Sequence, residues 1–387
     1  MTADPTGYDP LDPAVRADPY PVFAAMRAVG PCWNERLDAW VLSSYRDCRQ
    51  VLRDHGTFAA DGRRVGESIP ESALSIHHLD PPEHDVIHTL ISDALSPLGT
   101  PDLTLRLRGV VEGLLDRQPP GPVDLISTFT EPLARWFVPA AIGLSAFDPV
   151  VMEPIADAII RAMDSGLVPE AREPGVAARR RLTELLLAWI ADLDPDAPLR
   201  ALVERAKTAG LPETMAVNSL RTLVVNAFSS VPASLGNALH AVAQQRIVLK
   251  QHLASPGTLE RTAPQEFFRY DAALQGTTRL CATDTELSGI RIRRGEAVLV
   301  LFAAANRDPE RFPDPDRIAL DRSPNPHLAF GHGAHACTGS MLAQLVLGQT
   351  LRVLAERGVS LEPTGPVVRH PFATVRSIAA LPVELVR

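Results

Sequence analysis

The sequence predicts a mainly α-helical fold with a minor β component, and three observations lead there. Apolar residues recur at helical spacing through most of the 387 positions, strand-like text is scarce, and a hydrophobic content of 45% suffices for a large core. Helical spacing runs through 17–29, 45–54, 84–96, 102–117, 149–163, 177–193, 197–208 and 212–245, with Pro, Gly or Asp between most of these segments. Text suited to strands is found near 39–44 and within 286–302. No repeat, linker or shift in composition divides the chain, so one domain over 1–387 is expected.

Charge and cysteine usage narrow the function. A net charge of −8 argues against a nucleic-acid partner, which needs a clustered basic surface. The two lysines, Lys207 and Lys250, against many arginines read as base-composition bias. No apolar run approaches the length of a membrane span, and the first residues lack a basic stretch followed by an apolar one. A cytoplasmic protein with no membrane contact is therefore expected. Cys32, Cys48, Cys281 and Cys337 are too widely spaced for a disulfide framework or a paired-cysteine metal site.

The most informative text is AFGHGAHACTG at 329–339, followed by a helical segment. Gly331, Gly333 and Gly339 give the loop backbone freedom and room for a flat group to approach. Cys337 precedes a helix, whose N-terminal end favours a thiolate. Three readings fit these residues: a buried structural cysteine, a zinc site from His332, His335 and Cys337, and an axial thiolate for haem iron. Three ligands within six residues rarely close a tetrahedron, which counts against zinc.

Residues Phe330 to Gly339 resemble the haem-binding pattern FGxGxHxCxG of the cytochrome P-450 family at every specified position. That resemblance implies haem b as cofactor, with Cys337 on the iron, Phe330 beside the sulfur, Gly331 and Gly339 shaping the loop, and His335 at a propionate. It extends over most of the chain. Glu266 and Arg269 form an ExxR element, with Arg311 of the Pro309–Phe312 segment as the implied third member of a salt bridge. Arg279 takes the position of a propionate-binding arginine, and LDPPEH at 79–84 places His84 at a propionate.

Two departures from the family pattern bear on function. The long helix usually carries an acid and a threonine above the haem, in text like AGxET; here those positions hold Ser229 and Ser230. Both keep a hydroxyl, but neither supplies charge, so the proton relay is altered. Pro232 withholds a donor from the Phe228 carbonyl and predicts a kink nearby. On the helix that starts at His84, His88 stands where the family usually has arginine, and Asp85 and Asp93 make that helix acidic.

The expected activity is that of a haem-thiolate oxidoreductase, a P-450 monooxygenase tailoring a small natural product by hydroxylation, epoxidation or oxidative coupling. Ser229 and Ser230 are the candidate catalytic residues, and Val225, Phe228, Leu274 and Thr374 the candidate substrate pocket. A ferredoxin is the implied electron donor, and the substrate is either free or carrier-bound. The alternatives are an atypical haem-thiolate reaction, such as peroxide-driven oxidation, rearrangement or cyclisation, and a non-catalytic accessory protein for a partner enzyme. Specificity is expected in 59–79, 164–177 and 371–377. Arg63, Arg64 and Arg180 are candidate contacts for an acidic substrate group, against the plainer reading that they are solvated.

Overall fold

The structure is a computed structural model and describes residues 4–95, 101–144, 147–255 and 257–386. Thirteen α-helices are among the described residues. In chain order they are α1 Pro13–Ala17, α2 Tyr20–Val29, α3 Tyr45–Arg53, α4 Glu83–Leu95, α5 Pro101–Asp116, α6 Glu131–Ala141 and α7 Pro149–Met163. There follow α8 Arg172–Ala191, α9 Pro198–Thr208, α10 Glu213–Gln244, α11 Ala263–Tyr270, α12 Phe302–Ala305 and α13 Ser340–Glu356. Ser96, the last position of the helix expected over 84–96, lies outside the described residues, as do both ends of the span 1–387.

Local chemistry accounts for several boundaries. The Ser44 side chain accepts from Asp47 N at 3.1 Å and starts α3, and Asp148 accepts from Val150 N at 2.9 Å and starts α7. The segment 17–29 is two helices, because Asp18 and Pro19 interrupt it. Helix α6 lies outside the segments read as helical above, and Pro139 lies inside it. Pro232 likewise lies inside α10, which continues through it as a 32-residue helix.

The sheets are small. Strands β1 Cys32–Asn34, β2 Ala39–Leu42, β3 Phe58–Ala59, β4 Pro122–Asp124, β5 Gly276–Cys281, β6 Thr285–Leu287, β7 Ile290–Ile292 and β8 Ala297–Leu301 precede α13. After it come β9 Ser360–Pro363, β10 Val368–Arg369, β11 Ile378–Ala380 and β12 Pro382–Val386. The largest sheet has the order β1-β2-β8-β5-β3, with β2 and β8 parallel. Its strand β5 carries Arg279.

Helix α10 is the axle of the molecule. Its first half packs with α4, α7, α8 and α9 in one hydrophobic cluster, and its second half with α5, α6, α11 and α13 in another. Phe228 and Leu342 touch both clusters, so the junction lies where α10 passes the start of α13. The mostly buried helix has an incompletely buried stripe at this level, formed by Leu223, Asn226, Ala227 and Ser230. Among the described residues no helix is long and apolar enough to cross a membrane.

A buried charge cluster anchors the chain before the cysteine loop, with a different third member from the one expected. Glu266 and Arg269 are fully buried and pair at 2.8 Å. Arg322 completes the group, its Nε donating to the two Glu266 oxygens at 3.1 and 3.0 Å. Arg311 instead is exposed, with its guanidinium 5.5 Å from the Tyr45 ring. The following segment turns back so that Ala319 N and Asn325 Nδ2 also donate to Glu266, which brings Arg322 over the carboxylate.

Candidate functional site

The cysteine loop is a tight return. Cys337 N donates to the Phe330 carbonyl at 2.9 Å, and Ala336 N to that of Gly333 at 3.1 Å. Gly331 and Gly333 adopt φ of 70° and 77°. A Cβ on Gly333 would lie 2.5 Å from the Leu52 carbonyl oxygen, so this position requires glycine on both counts. Phe330 packs edge-on against Phe268, with ring centroids 4.9 Å apart.

Cys337 is exposed by surface area, yet burial raises its thiol pKa, with the Gly339 N–H opposing. A side chain that lines a recess enclosed by the protein satisfies both. The effect of the α13 N-terminus, expected to lower this pKa, is outweighed by desolvation. Among the described residues no three His, Cys, Asp or Glu side chains are grouped to hold a metal ion, which removes the zinc reading. His335 points instead to Asp80, with Nε2 3.2 Å from Oδ1.

Around that space the structure gathers nitrogen donors. His84 is buried on α4, with its ring 4.3 Å from His335 and 5.4 Å from the half-buried His88. Burial, then His335, lowers the His84 pKa to about 4 against the pull of Asp85, which keeps the ring neutral near pH 7. Burial pushes the Asp80 carboxyl up, but hydrogen bonds from His335, Arg64 and two backbone N–H groups hold it well below the ordinary range. Arg279 is buried and donates to Thr277 Oγ1 at 3.1 Å and Thr278 O at 2.9 Å. It has no ion-paired carboxylate among the described residues, and burial lowers its pKa, with Asp80 opposing. A buried guanidinium with no direct ion pair fits the propionate edge of a haem, and an interior thiol fits its iron.

The α10 side of the space contains residues that sequence reasoning missed. His77 Nε2 lies 3.3 Å from Asn226 Nδ2, so a neutral His77 accepts from the amide. Burial, followed by His78, His335, Arg279 and His84, lowers the His77 pKa to about 4, although its surface is exposed. Like Cys337, it faces an interior space. Asn226 was a readable signal, since it stands at the first position of the AGxET-like text. Ser229 is buried and donates to the Asn226 carbonyl at 3.0 Å, which ties it into the helix. Ser230 lies on the incompletely buried stripe, and its hydroxyl makes no hydrogen bond among the described residues.

The four expected pocket residues separate. Phe228 sits at the junction, its ring centroid 5.5 Å from that of Phe147. Leu274 is held beside Val375 by an antiparallel bridge. Val225 is buried in the α4–α9 cluster, where it packs core and does not line the space. Thr374 is turned to Asp164, which accepts from its hydroxyl at 2.6 Å and its N–H at 2.9 Å. Asp164 thereby pins the 373–374 loop, because it also accepts from Ala373 N.

Comparison with known proteins agrees with this architecture. The family model for cytochrome P-450 matches residues 261–357. The chain is 29% identical over 386 residues to the cytochrome P-450 monooxygenase PikC of Streptomyces venezuelae, covering 95% of this chain and 91% of that protein. It is 30% identical over 404 residues to nocardicin C N-oxygenase of Nocardia uniformis subsp. tsuyamanensis, covering 100% of this chain and 99% of the other. The crystal structure of the P-450 BioI in complex with an acyl carrier protein bearing hexadec-9Z-enoic acid superposes with a TM-score of 0.83 at 27% identity, over 96% of this chain and all of that one. The near-complete match to relatives at this identity, on a fold that carries an interior thiol in the FGxGxHxCxG loop, shows that the chain belongs to the cytochrome P-450 family.

Proposed function

We propose that this monooxygenase holds haem b through Cys337 and oxidises a small natural product, presented free or on a carrier protein, with electrons from a ferredoxin. The observation that carries the reading is Cys337, a desolvated thiol in the family's loop, together with the buried Arg279, which makes no ion pair among the described residues. Haem, when bound, supplies oxygen activation. Cys337 Sγ holds the iron, and Phe330 and Gly339 shape its loop. Arg279, His84 and His335 hold the propionates, with His88 as a weaker partner than the usual arginine. Relatives named for work on nocardicin C and on carrier-bound acyl chains support both forms of substrate.

In this reading the proton path differs from the family pattern. Ser230 offers a free hydroxyl on the incompletely buried stripe, and Asn226 with His77 extends a polar surface from it. Ser229 takes no part, since its hydroxyl is committed to the helix. Leu274 and Phe228 position substrate, while Thr374 acts through the Asp164-pinned loop. One observation favours an atypical reaction as second reading: neither Ser229 nor Ser230 can supply the charge of the usual acid.

The test is a carbon monoxide difference spectrum of the reduced, purified protein. A red-shifted Soret band typical of thiolate ligation is expected, and Cys337→Ala should lose it. A protein that takes up no haem during haem-supplemented expression would instead support the accessory role. Peroxide-driven turnover that exceeds ferredoxin-driven turnover would establish the second reading.

A further inference from the structure

Arg179 of α8 and Arg221 of α10 are linked through Thr183, and the charges of both act on His78 of the Ile76–His78 turn. Arg221 is buried, and its guanidinium donates only to neutral acceptors: Thr183 Oγ1 and Asn218 Oδ1, both at 2.8 Å, and Ser72 O at 3.3 Å. Thr183 is one turn from Arg179 and donates back to its carbonyl at 2.9 Å. Arg179 itself is half-buried and makes no side-chain hydrogen bond or ion pair among the described residues. Burial, then Arg179, lowers the Arg221 pKa to about 10, and burial alone lowers that of Arg179. His78 is lowered by burial, then by Arg179, with Asp61 opposing and Arg221 adding to the fall.

Among the described residues no carboxylate answers this charge. Asp61 is committed to Arg63 at 2.6 Å, and no acid contributes to the environment of either arginine. Two guanidinium groups withdrawn from water with no anion between them are costly, and such arrangements concentrate where a ligand supplies the missing charge. The arginines expected to meet an acidic substrate do not offer this. Arg63 is tied to Asp61 and Glu83, Arg64 to Asp80 and two carbonyls, and Arg180 is exposed. The cluster adjoins the interior space, because His77, next to His78, meets Asn226 on α10. Ser230 follows Arg221 by nine positions, about 14 Å along the helix axis and about half a turn around it, so the cluster lies on the α8 side of α10 and not on the face that carries Ser230.

We propose that Arg179 and Arg221 form an anion subsite at the outer end of the substrate space, which takes the carboxylate of a free acid or the phosphate of a carrier's phosphopantetheine arm. This rests on the haem-enzyme reading. The subsite fixes one end of an elongated substrate. A bidentate guanidinium suits either anion.

The haem-loaded protein is titrated with ω-imidazolyl alkanoic acids of graded length and with their methyl esters, and binding is read from the Soret shift. Imidazole alone reports the haem: no shift with imidazole would be a failure of the haem reading, separate from the subsite. The acid should bind about tenfold or more tightly than its ester at the chain lengths that span the separation, as for loss of a charged hydrogen bond. Arg179→Gln should abolish that preference and leave ester affinity unchanged, and Arg179→Lys should keep most of it. Equal binding of acid and ester, failure of both long-chain probes, or a full preference in Arg179→Gln would each overturn the proposal. Acyl phosphopantetheine thioesters, compared with free acids of the same chain, identify the source: tighter thioester binding that depends on Arg179 marks a carrier-bound substrate, and tighter acid binding a free one.

Discussion

Replacing Arg322 with Gln should destabilise the haem-loaded protein by about 3 kcal/mol, the value of a charged hydrogen bond to a buried partner. The structure supports that magnitude, because Arg322 Nε reaches both oxygens of a fully buried carboxylate and its other nitrogens donate to the carbonyls of Pro313, Asp314 and Arg317. Glu266→Gln should cost more, about 3–5 kcal/mol, since it leaves the fully buried Arg269 without its anion. Arg311→Gln should stay within about 0.5 kcal/mol, as its exposed guanidinium only approaches the Tyr45 ring. Urea midpoints followed by circular dichroism, at matched slopes, measure all three. Combining Glu266→Gln with Arg322→Gln should give less than the sum of the singles, because both remove one interaction. An Arg322→Gln effect no larger than that of Arg311→Gln would refute the assignment of the third charge.

Three further outcomes follow from other parts of the molecule. Burial raises the Asp271 pKa, but Arg376, Arg369, a hydrogen bond from Tyr20 and Arg307 lower it to a net value of about 2. Its folded pKa is thus depressed, and its contribution is fully present above its ordinary value of 3.8 and lost as pH falls through about 2. That is roughly 2 kcal/mol, so Asp271→Asn should be less stable at neutral pH and lose less on acidification; an unchanged acid slope in unfolding titrations would contradict it. Gly333→Ala should lose about 1–2 kcal/mol from its left-handed backbone and more from contact with Leu52 O, whereas Gly289→Ala, with φ of 80° and open space, should show only the first loss. Equal midpoints for the two alanine variants would remove the packing argument. Finally, Ser230→Ala should lower the coupling of reductant to product while Ser229→Ala should not, and the reverse order would assign the relay to the buried hydroxyl.

How far the molecule could be read in advance followed the distance over which each feature is encoded. Helix α10 was placed to within a residue at each end, because its pattern repeats over nine turns of chain between Pro212 and Gln245. The cysteine loop was legible for a related reason: its ligand, glycines and return hydrogen bonds occupy ten consecutive residues. Strands of two or three residues, such as β3 and β10, carry no alternation to detect. The third charge of the Glu266 cluster was misplaced because Arg311 and Arg322 both follow proline- and aspartate-rich text, and only the path of the backbone between them selects one.

The interior polar residues were hidden by a stronger effect. His77 and Asn226 are 149 positions apart, and Arg179 and Arg221 are on different helices, so each looks ordinary in its own segment. What singles them out is the lack of a counter-charge or a saturating partner, which is a property of the assembled space rather than of any stretch of text. The same reasoning separates the two serines: adjacent residues on a helix point about 100° apart, so Ser229 meets the Asn226 carbonyl while Ser230 stays open on the stripe. On α10 the side chains at this level are neutral donors and acceptors, and in the reading proposed above Arg279 stands at one edge of the space and Arg179 with Arg221 at the other. A substrate that brings its own anion would settle against the second pair and leave the first for the cofactor.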